Sequence, residues 1–385
     1  MRVLITSPAG LGHIHPMVPL ARALVNRGHD VLWALPGDGV AAVARTGIEA
    51  VAMGSAGLLD PREAMRRYPE LKELPVEQVP DRMFGKLFGA MLAPPMLEAM
   101  VPVARDWRPD LVLADAAELA GPIVAAELGV PNVTKGFGPL LPAARVAAAA
   151  EEVAPLWLSR GLEPRPFAGC YEHLYLDIYP PELGGGASAP HIPQTQLLRP
   201  VADDGEEDAA VAFPTEPAGA PLIYVTMGTV FNNPGTLGVI IGALGALDDV
   251  RVLVTVGPRA DPTDFGTVPA HVRIERYVAQ RLVFPHASVV VSHGGSGTVL
   301  ATAGHGLPQL CLPQGADQFL NAAAVAASGA GLALGPGEQT ADSITAAVGR
   351  LLHDADVRSV ADRVAVDIAA MPSPEDIAAV LEQVR

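Results

Sequence analysis

A chain of 385 residues, half of them apolar and 18% charged, can bury two or three cores of about 150 residues each and is too apolar for a disordered protein. Its 26 basic and 42 acidic side chains leave a net charge of −16, which argues against nucleic acid and anionic membrane surfaces, since both are held by neutralising phosphate. A small ligand or another protein fits better, and two distant cysteines, Cys170 and Cys311, offer neither a disulfide framework nor a multi-cysteine zinc site and suit a reducing cytoplasm.

The first residues, MRVLITSPAG, have no basic stretch ahead of an apolar core, so they predict a buried strand over 2–6 rather than a signal peptide. A glycine turn, Ala9-Gly10-Leu11-Gly12-His13, leads into a helix with Met17, Leu20, Leu24 and Val25 on one face, closed at Gly28. The order suggests dinucleotide binding, but Gly10-x-Gly12-x-x-His15 lacks the third glycine of that fingerprint. Further strands are predicted over 30–35, 111–114 and 130–134. Between them, 58–100 carries Met65, Met83, Phe84, Leu87, Phe88, Met91, Leu92, Met96 and Met100 at loosely helical spacing, which suits either core or an adaptable wall for a bulky apolar ligand. The apolar runs 143–150 and 238–247 are shorter than the roughly 18 residues of a membrane span, so none is expected. A stretch over 199–220, with Asp203, Asp204, Glu206, Glu207 and Asp208 followed by Pro214 and Pro217, reads as an acidic linker. Strands follow over 222–226, 251–256, 288–292, 309–312 and 331–334. Short apolar runs alternating with helical patterns on both sides of a linker predict two doubly wound parallel-sheet domains, with ligands at the carboxyl ends of the strands.

Ser288-Val-Val-Val-Ser-His293-Gly-Gly-Ser-Gly-Thr298 places a histidine and small residues between a buried strand and a helix start, where unpaired N–H groups and the helix dipole favour an anion such as a diphosphate. The plain alternative is an ordinary glycine turn. It is not a P-loop, because Gly85-Lys86 is followed by Leu87. Twenty residues on, Asp317-Gln318 offers an acceptor and a donor that suit two sugar hydroxyls, although Asp317 serves equally as a helix N-cap. Asp354-Ala-Asp356 follows Leu351-Leu352-His353 and reads as a solvated helix end, so no metal site is expected.

Together, His293-Gly-Gly-Ser-Gly-Thr298, Arg276-Tyr-Val-Ala-Gln280, Asp317-Gln318 and Gly12-His13-Ile-His-Pro16 resemble the signatures of family 1 glycosyltransferases with the GT-B fold. The likeness runs along nearly the whole chain and is nearest to actinobacterial enzymes that glycosylate antibiotics and other natural products. It implies an α/β GT-B architecture, two Rossmann-like doubly wound parallel-sheet domains facing a cleft. These would be an acceptor-binding domain over 1–205, a linker over 206–220, a nucleotide-sugar-binding domain over 221–372 and a C-terminal helix over 373–385 packing back on the first domain.

The resemblance makes His13 the general base and Asp115 its orienting carboxylate. Gly228, Thr229, His293, Gly295, Ser296, Gly297 and Thr298 become diphosphate binders, Tyr277 with Val278 and Gln280 holds the nucleotide base, and Asp317 and Gln318 hold the sugar. Phe84, Phe88, Met91 and Phe137 become acceptor-lining residues, and His15 lines the acceptor or the surface. Tyr277 stands where plant relatives have tryptophan and Ala279 where proline is common, which leaves the nucleotide open between dTDP and UDP.

Elementary chemistry agrees with these roles. An attacking hydroxyl must lose its proton, a histidine near neutral pKa is suited to take it, a helix N-terminus disfavours imidazolium, and a carboxylate fixes the tautomer. Both residues also have plainer readings, a capping or core histidine and a strand-end carboxylate. The expected activity is an inverting, metal-independent transfer of a sugar or deoxysugar from a nucleoside diphosphate to a hydroxyl of a hydrophobic aglycone such as a polyketide. No cofactor beyond that co-substrate is implied, and a homodimer is compatible with the sequence. A nucleotide-sugar 2-epimerase and a non-catalytic accessory homologue stay open as alternatives. A pyridoxal-phosphate phosphorylase is disfavoured, because Lys72, Lys86 and Lys135 all lie in the first half.

Overall fold

The computed structural model describes residues 1–186, 189–202, 211–228, 234–257 and 260–384. The chain divides into two compact units, one of Met1–Pro181, Gly185–Asp203 and Met371–Arg385, the other of Glu182–Gly184 and Asp204–Ala370. Each is built on one parallel sheet. The acidic residues 203–208 of the predicted linker lie outside the described residues.

In the first unit the strands are β1 (Arg2–Thr6), β2 (Asp30–Leu35), β3 (Glu49–Ala52), β4 (Leu111–Asp115), β5 (Asn132–Lys135), β6 (Leu174–Asp177) and β7 (Thr195–Leu197), in spatial order β3-β2-β1-β4-β5-β6-β7. In the second they are β8 (Leu222–Thr226), β9 (Arg251–Thr255), β10 (Val272–Glu275), β11 (Val289–Ser292), β12 (Gln309–Cys311) and β13 (Gly331–Ala333), in order β10-β9-β8-β11-β12-β13. Val3, Leu4 and Ile5 of β1 and Val289, Val290 and Val291 of β11 are fully buried, as strands covered by helices on both faces require. These continuous apolar runs are why the central strands are legible in the sequence. β3, β7 and β10, which the sequence reading missed, are short, and most of their residues are partly or wholly exposed. β6 is buried but only four residues long.

The first helical turn, Leu11–Ile14, runs through a 3₁₀ turn into Val18–Asn26. That helix buries Val18, Leu20, Ala21 and Leu24 against the sheet, whereas Val25, expected on the same face, is exposed. The helix Pro374–Leu381 packs against Val18–Asn26, and Glu382 beyond it accepts from Arg27 Nη2 at 2.8 Å and His29 Nε2 at 3.0 Å.

The methionine- and phenylalanine-rich segment becomes a continuous helical stretch, Val79–Trp107, with π-helical winding over Gly85–Leu92. By length and composition alone this stretch is long and apolar enough to cross a membrane, and 56% of its most apolar window is buried inside the protein, as in a core helix. Charged residues break up its apolar runs, so a search for an uninterrupted run overlooks it. Met83, Leu87, Met91 and Leu92 join Ala64 and Leu71 in one apolar cluster, so most of the segment is core.

Candidate active site

In the first unit, β1 and β4 are neighbours with Thr6 opposite Ala114, so the turn after β1 and the last residue of β4 meet at the same level of the sheet. There His13 Nδ1 lies 3.0 Å from Asp115 Oδ1. The same oxygen accepts the Ala117 N–H at 2.8 Å, and Asp115 is 1% exposed. A carboxylate has no proton to give, so Nδ1 donates and Nε2 carries the lone pair. The Phe137 ring centroid lies 4.6 Å from that of His13 and the Phe88 centroid 5.7 Å, both edge-on. Phe84 follows Phe88 at 5.1 Å, which makes an apolar aromatic surround for the imidazole. Met91 is 3% exposed within the core cluster, where it backs this wall rather than forming its surface.

Two buried ionisable groups beside the dyad were not singled out in the sequence. Lys135, 1% exposed, closes β5 directly opposite Asp115. Its Nζ donates to the Gly136 carbonyl at 2.9 Å. Burial pushes the ammonium down to about 8, and the Asp115 charge acts against that shift. Glu118, also buried, accepts the N–H groups of Ala120 and Gly121 at 3.0 and 2.8 Å, and burial raises its carboxyl above the usual range. The available signal was an ionisable residue ending or just following an apolar strand.

In the second unit β11 lies beside β8, with Ser292 opposite Thr226. The chain then turns through His293, Gly294 and Gly295 into the helix Ser296–Gly304, which has no side-chain N-cap. Its first N–H groups therefore lack intrahelical partners, and the positive dipole end faces the turn. A Cβ at Gly228, whose φ is +71°, would come within 2.7 Å of the His293 ring, and one at Gly295 would come within 2.5 Å of its Nε2. Glycine at both positions lets the backbone close on the imidazole. His293 Nδ1 is buried without a hydrogen-bond partner among the described residues, and burial pushes the ring down to about 4, against the raising influence of Asp317. The ring is therefore neutral at physiological pH.

Asp317 sits at the N-cap position of the helix Gln318–Ser328 but makes no capping bond. Its Oδ2 instead lies 2.7 Å from Ser296 Oγ and accepts Asn321 Nδ2 at 2.9 Å. Asn321, fully buried, is a member of this network that sequence reasoning left without a role. Gln318 is 1% exposed, and its Oε1 accepts the N–H groups of Gln314 and Gly315 at 2.7 and 3.2 Å, so the side chain props the turn that carries Asp317. Gln280 Nε2 donates to Thr298 Oγ1 at 3.2 Å, tying the 276–280 segment to the glycine turn. Tyr277 on that segment is 58% exposed, Val278 is half-buried and Gly297 is exposed. Thr229 lies outside the described residues. Among the described residues no cluster of His, Cys, Asp or Glu could hold a metal ion. Asp354 instead accepts the N–H groups of Asp356 and Val357 at the start of the next helix.

Comparisons with known proteins bear on this arrangement. Two family models match, the N-terminal domain of erythromycin biosynthesis protein CIII-like proteins over residues 22–155 and the C-terminal domain over 238–384. The chain is 34% identical to the elloramycin glycosyltransferase of Streptomyces olivaceus, over 98% of this chain and 96% of that one. The glycosyltransferase SsfS6 of Streptomyces sp. SF2575, solved with thymidine diphosphate, superposes with a TM-score of 0.78 at 27% identity, covering 100% of this chain and 99% of the other. The spinosyn rhamnosyltransferase SpnG, solved with the spinosyn aglycone, gives 0.81 at 28% identity, covering 99% and 100%.

Proposed function

The chain belongs to the erythromycin biosynthesis protein CIII-like family and is a glycosyltransferase of the natural-product type with the GT-B fold, and on that premise we propose that it moves a deoxysugar from a dTDP donor to a hydroxyl of a hydrophobic aglycone with inversion at the anomeric carbon. The relatives compared are transferases, which supports this reading over an epimerase or an accessory protein. The thymidine diphosphate held by SsfS6 favours dTDP as carrier.

The observation that carries the proposal is the His13–Asp115 contact, 3.0 Å long, inside an aromatic surround. In the reaction, the aglycone oxygen forms its bond to the anomeric carbon as its proton passes to His13 Nε2. The bond from that carbon to the diphosphate oxygen breaks, and the nucleoside diphosphate leaves with the electron pair. Asp115 stabilises the imidazolium as it forms, as in hydrolase triads. The leaving diphosphate's charge is met by neutral His293 and by the N–H groups at the start of Ser296–Gly304, donors held in place before the reaction begins. This arrangement supports a transfer with no metal ion. Asp317, anchored by Ser296 and Asn321, faces the donor sugar, and the first unit takes the acceptor against Phe84, Phe88 and Phe137.

The test is to incubate the protein with a panel of dTDP- and UDP-sugars and aromatic or macrolide aglycones, reading products by mass and their anomeric configuration by NMR. His13→Ala should abolish product while thymidine diphosphate binding, read by calorimetry, stays near wild type. Transfer at a near wild-type rate in that variant would overturn the base assignment, and a retained anomeric configuration would overturn the mechanism.

A further inference from the structure

We propose that Lys135 is a positioning residue for the transfer: its buried ammonium acts through charge on the Asp115 carboxylate that His13 meets and so sets how readily the imidazole takes up a proton. The proposal rests on the reading of His13 as the base. Lys135 and Asp115 occupy the same level of adjacent parallel strands, about 4.8 Å apart and with side chains on the same face of the sheet. At 1% exposure the ammonium cannot draw on water, and a charge so placed needs a counter-charge. Its hydrogen bond goes to a neutral carbonyl, that of Gly136. The compensating charge is Asp115.

The other titratable groups around this spot leave that pair dominant. From the turn after β4 comes Glu118, whose carboxyl burial pushes up while two backbone N–H groups act in the opposite sense. From β6 and the segment before it come Cys170, pushed up to about 12, and Tyr171, Tyr175 and Asp177, all raised by burial. The thiol and both phenols are therefore neutral at physiological pH. His13, from the turn after β1, is the remaining group, and it meets Asp115 at 3.0 Å.

The consequence for the base follows from charge alone. Asp115 by itself would favour imidazolium and so protonate the base before any acceptor arrives. A cation on the neighbouring strand removes part of that attraction, leaving Nε2 unprotonated and ready. As Lys135 loses its proton near pH 8, the full carboxylate field returns to His13.

The test reads the imidazole directly, in protein labelled with ¹⁵N at histidine, with His13 assigned by the signal lost in His13→Gln. Lys135→Met should raise the midpoint of His13 titration by about one pH unit, a tenfold gain in proton affinity, while Lys135→Arg should stay near wild type. Wild-type protein should also show a second inflection of the His13 Nδ1–H resonance near pH 8, absent from Lys135→Arg. That comparison decides the matter even if Lys135→Met does not fold. Midpoints agreeing within about 0.2 unit in a folded Lys135→Met, or a wild-type resonance with no inflection near pH 8, would overturn the proposal. If the coupling is present but transfer survives loss of His13, it is the base assignment that fails.

Discussion

Replacing glycine by alanine at two positions should have opposite effects. Gly349 lies within the helix Ala341–His353 with nothing within 4 Å of an added Cβ, so Gly349→Ala should stabilise the protein by about 0.5–1 kcal/mol through lost unfolded-chain entropy and better helix propensity. Gly228 has a φ of +71°, and its added Cβ would sit 2.7 Å from the His293 ring. The left-handed backbone costs alanine about 1–2 kcal/mol. Restoring an ordinary contact of about 3.5–4.0 Å requires the ring to move by about 1 Å, and overpacking of that kind adds about 1–3 kcal/mol. The displaced ring can no longer donate to a diphosphate, and a hydrogen bond to a charged group contributes about 1.5–3 kcal/mol, so affinity for thymidine diphosphate should fall by about ten- to a hundredfold. Urea denaturation and calorimetric titration of both variants test this. If Gly228→Ala is as stable as wild type and binds thymidine diphosphate within about twofold of it, the reasoning about the clamp on His293 is refuted.

Three further outcomes follow from the same geometry. Asp115→Asn can keep an oxygen on His13 Nδ1–H but loses the charge that stabilises the imidazolium, so kcat should fall by at least about 100-fold with thymidine diphosphate affinity unchanged; a smaller loss on steady-state assay would make Asp115 a bystander. Lys135 has its folded-state value depressed to about 8 from 10.5, so the unfolded chain holds the proton more tightly. The contribution of this group to stability should therefore rise with pH between those values, by about 3 kcal/mol in all. Urea midpoints of wild type should gain on those of Lys135→Met over that interval, because the buried thiols and phenols, whose raised values make stability fall with pH, contribute alike to both proteins, and parallel curves would refute the linkage. Asn321→Ala leaves Asp317 and Ser296 short of a buried partner and should cost about 1–3 kcal/mol of stability, checked by thermal unfolding; no change would mean that water replaces the amide.

What the amino-acid order discloses here depends on how far apart the interacting residues lie. The turn into Ser296–Gly304 is contiguous, so the reading of it as an anion site needs His293 to Thr298 alone. The dyad spans 102 positions, and His13 and Asp115 were joined through family resemblance rather than through any local pattern. Lys135 escaped notice because its partner is set by β4–β5 register, which no local spacing encodes. Asp317 shows the converse. Its position before a helix invites a capping role, yet Ser296 and Asn321 supply stronger partners than the helix end, and only the packing of two helices against β11 and β12 decides between them.

The two units also solve one problem twice. In each sheet the strand order reverses beside the first strand, at β1/β4 and at β8/β11. At such a point the chains leaving two adjacent strands turn to opposite sides and open a crevice at the carboxyl ends. In the first unit that place holds His13 after β1 and Asp115 at the end of β4; in the second it holds Gly228 after β8 and His293 after β11. The topology supplies the opening, and the side chains decide its chemistry. A histidine paired with a carboxylate is equipped to take a proton. A histidine clamped between glycines beside an uncapped helix is equipped to hold an anion and stays neutral. On the proposed mechanism the same residue type serves as base in one sheet and as phosphate ligand in the other because of what stands next to it, and exchanging the neighbours, not the histidines, is what would exchange the roles.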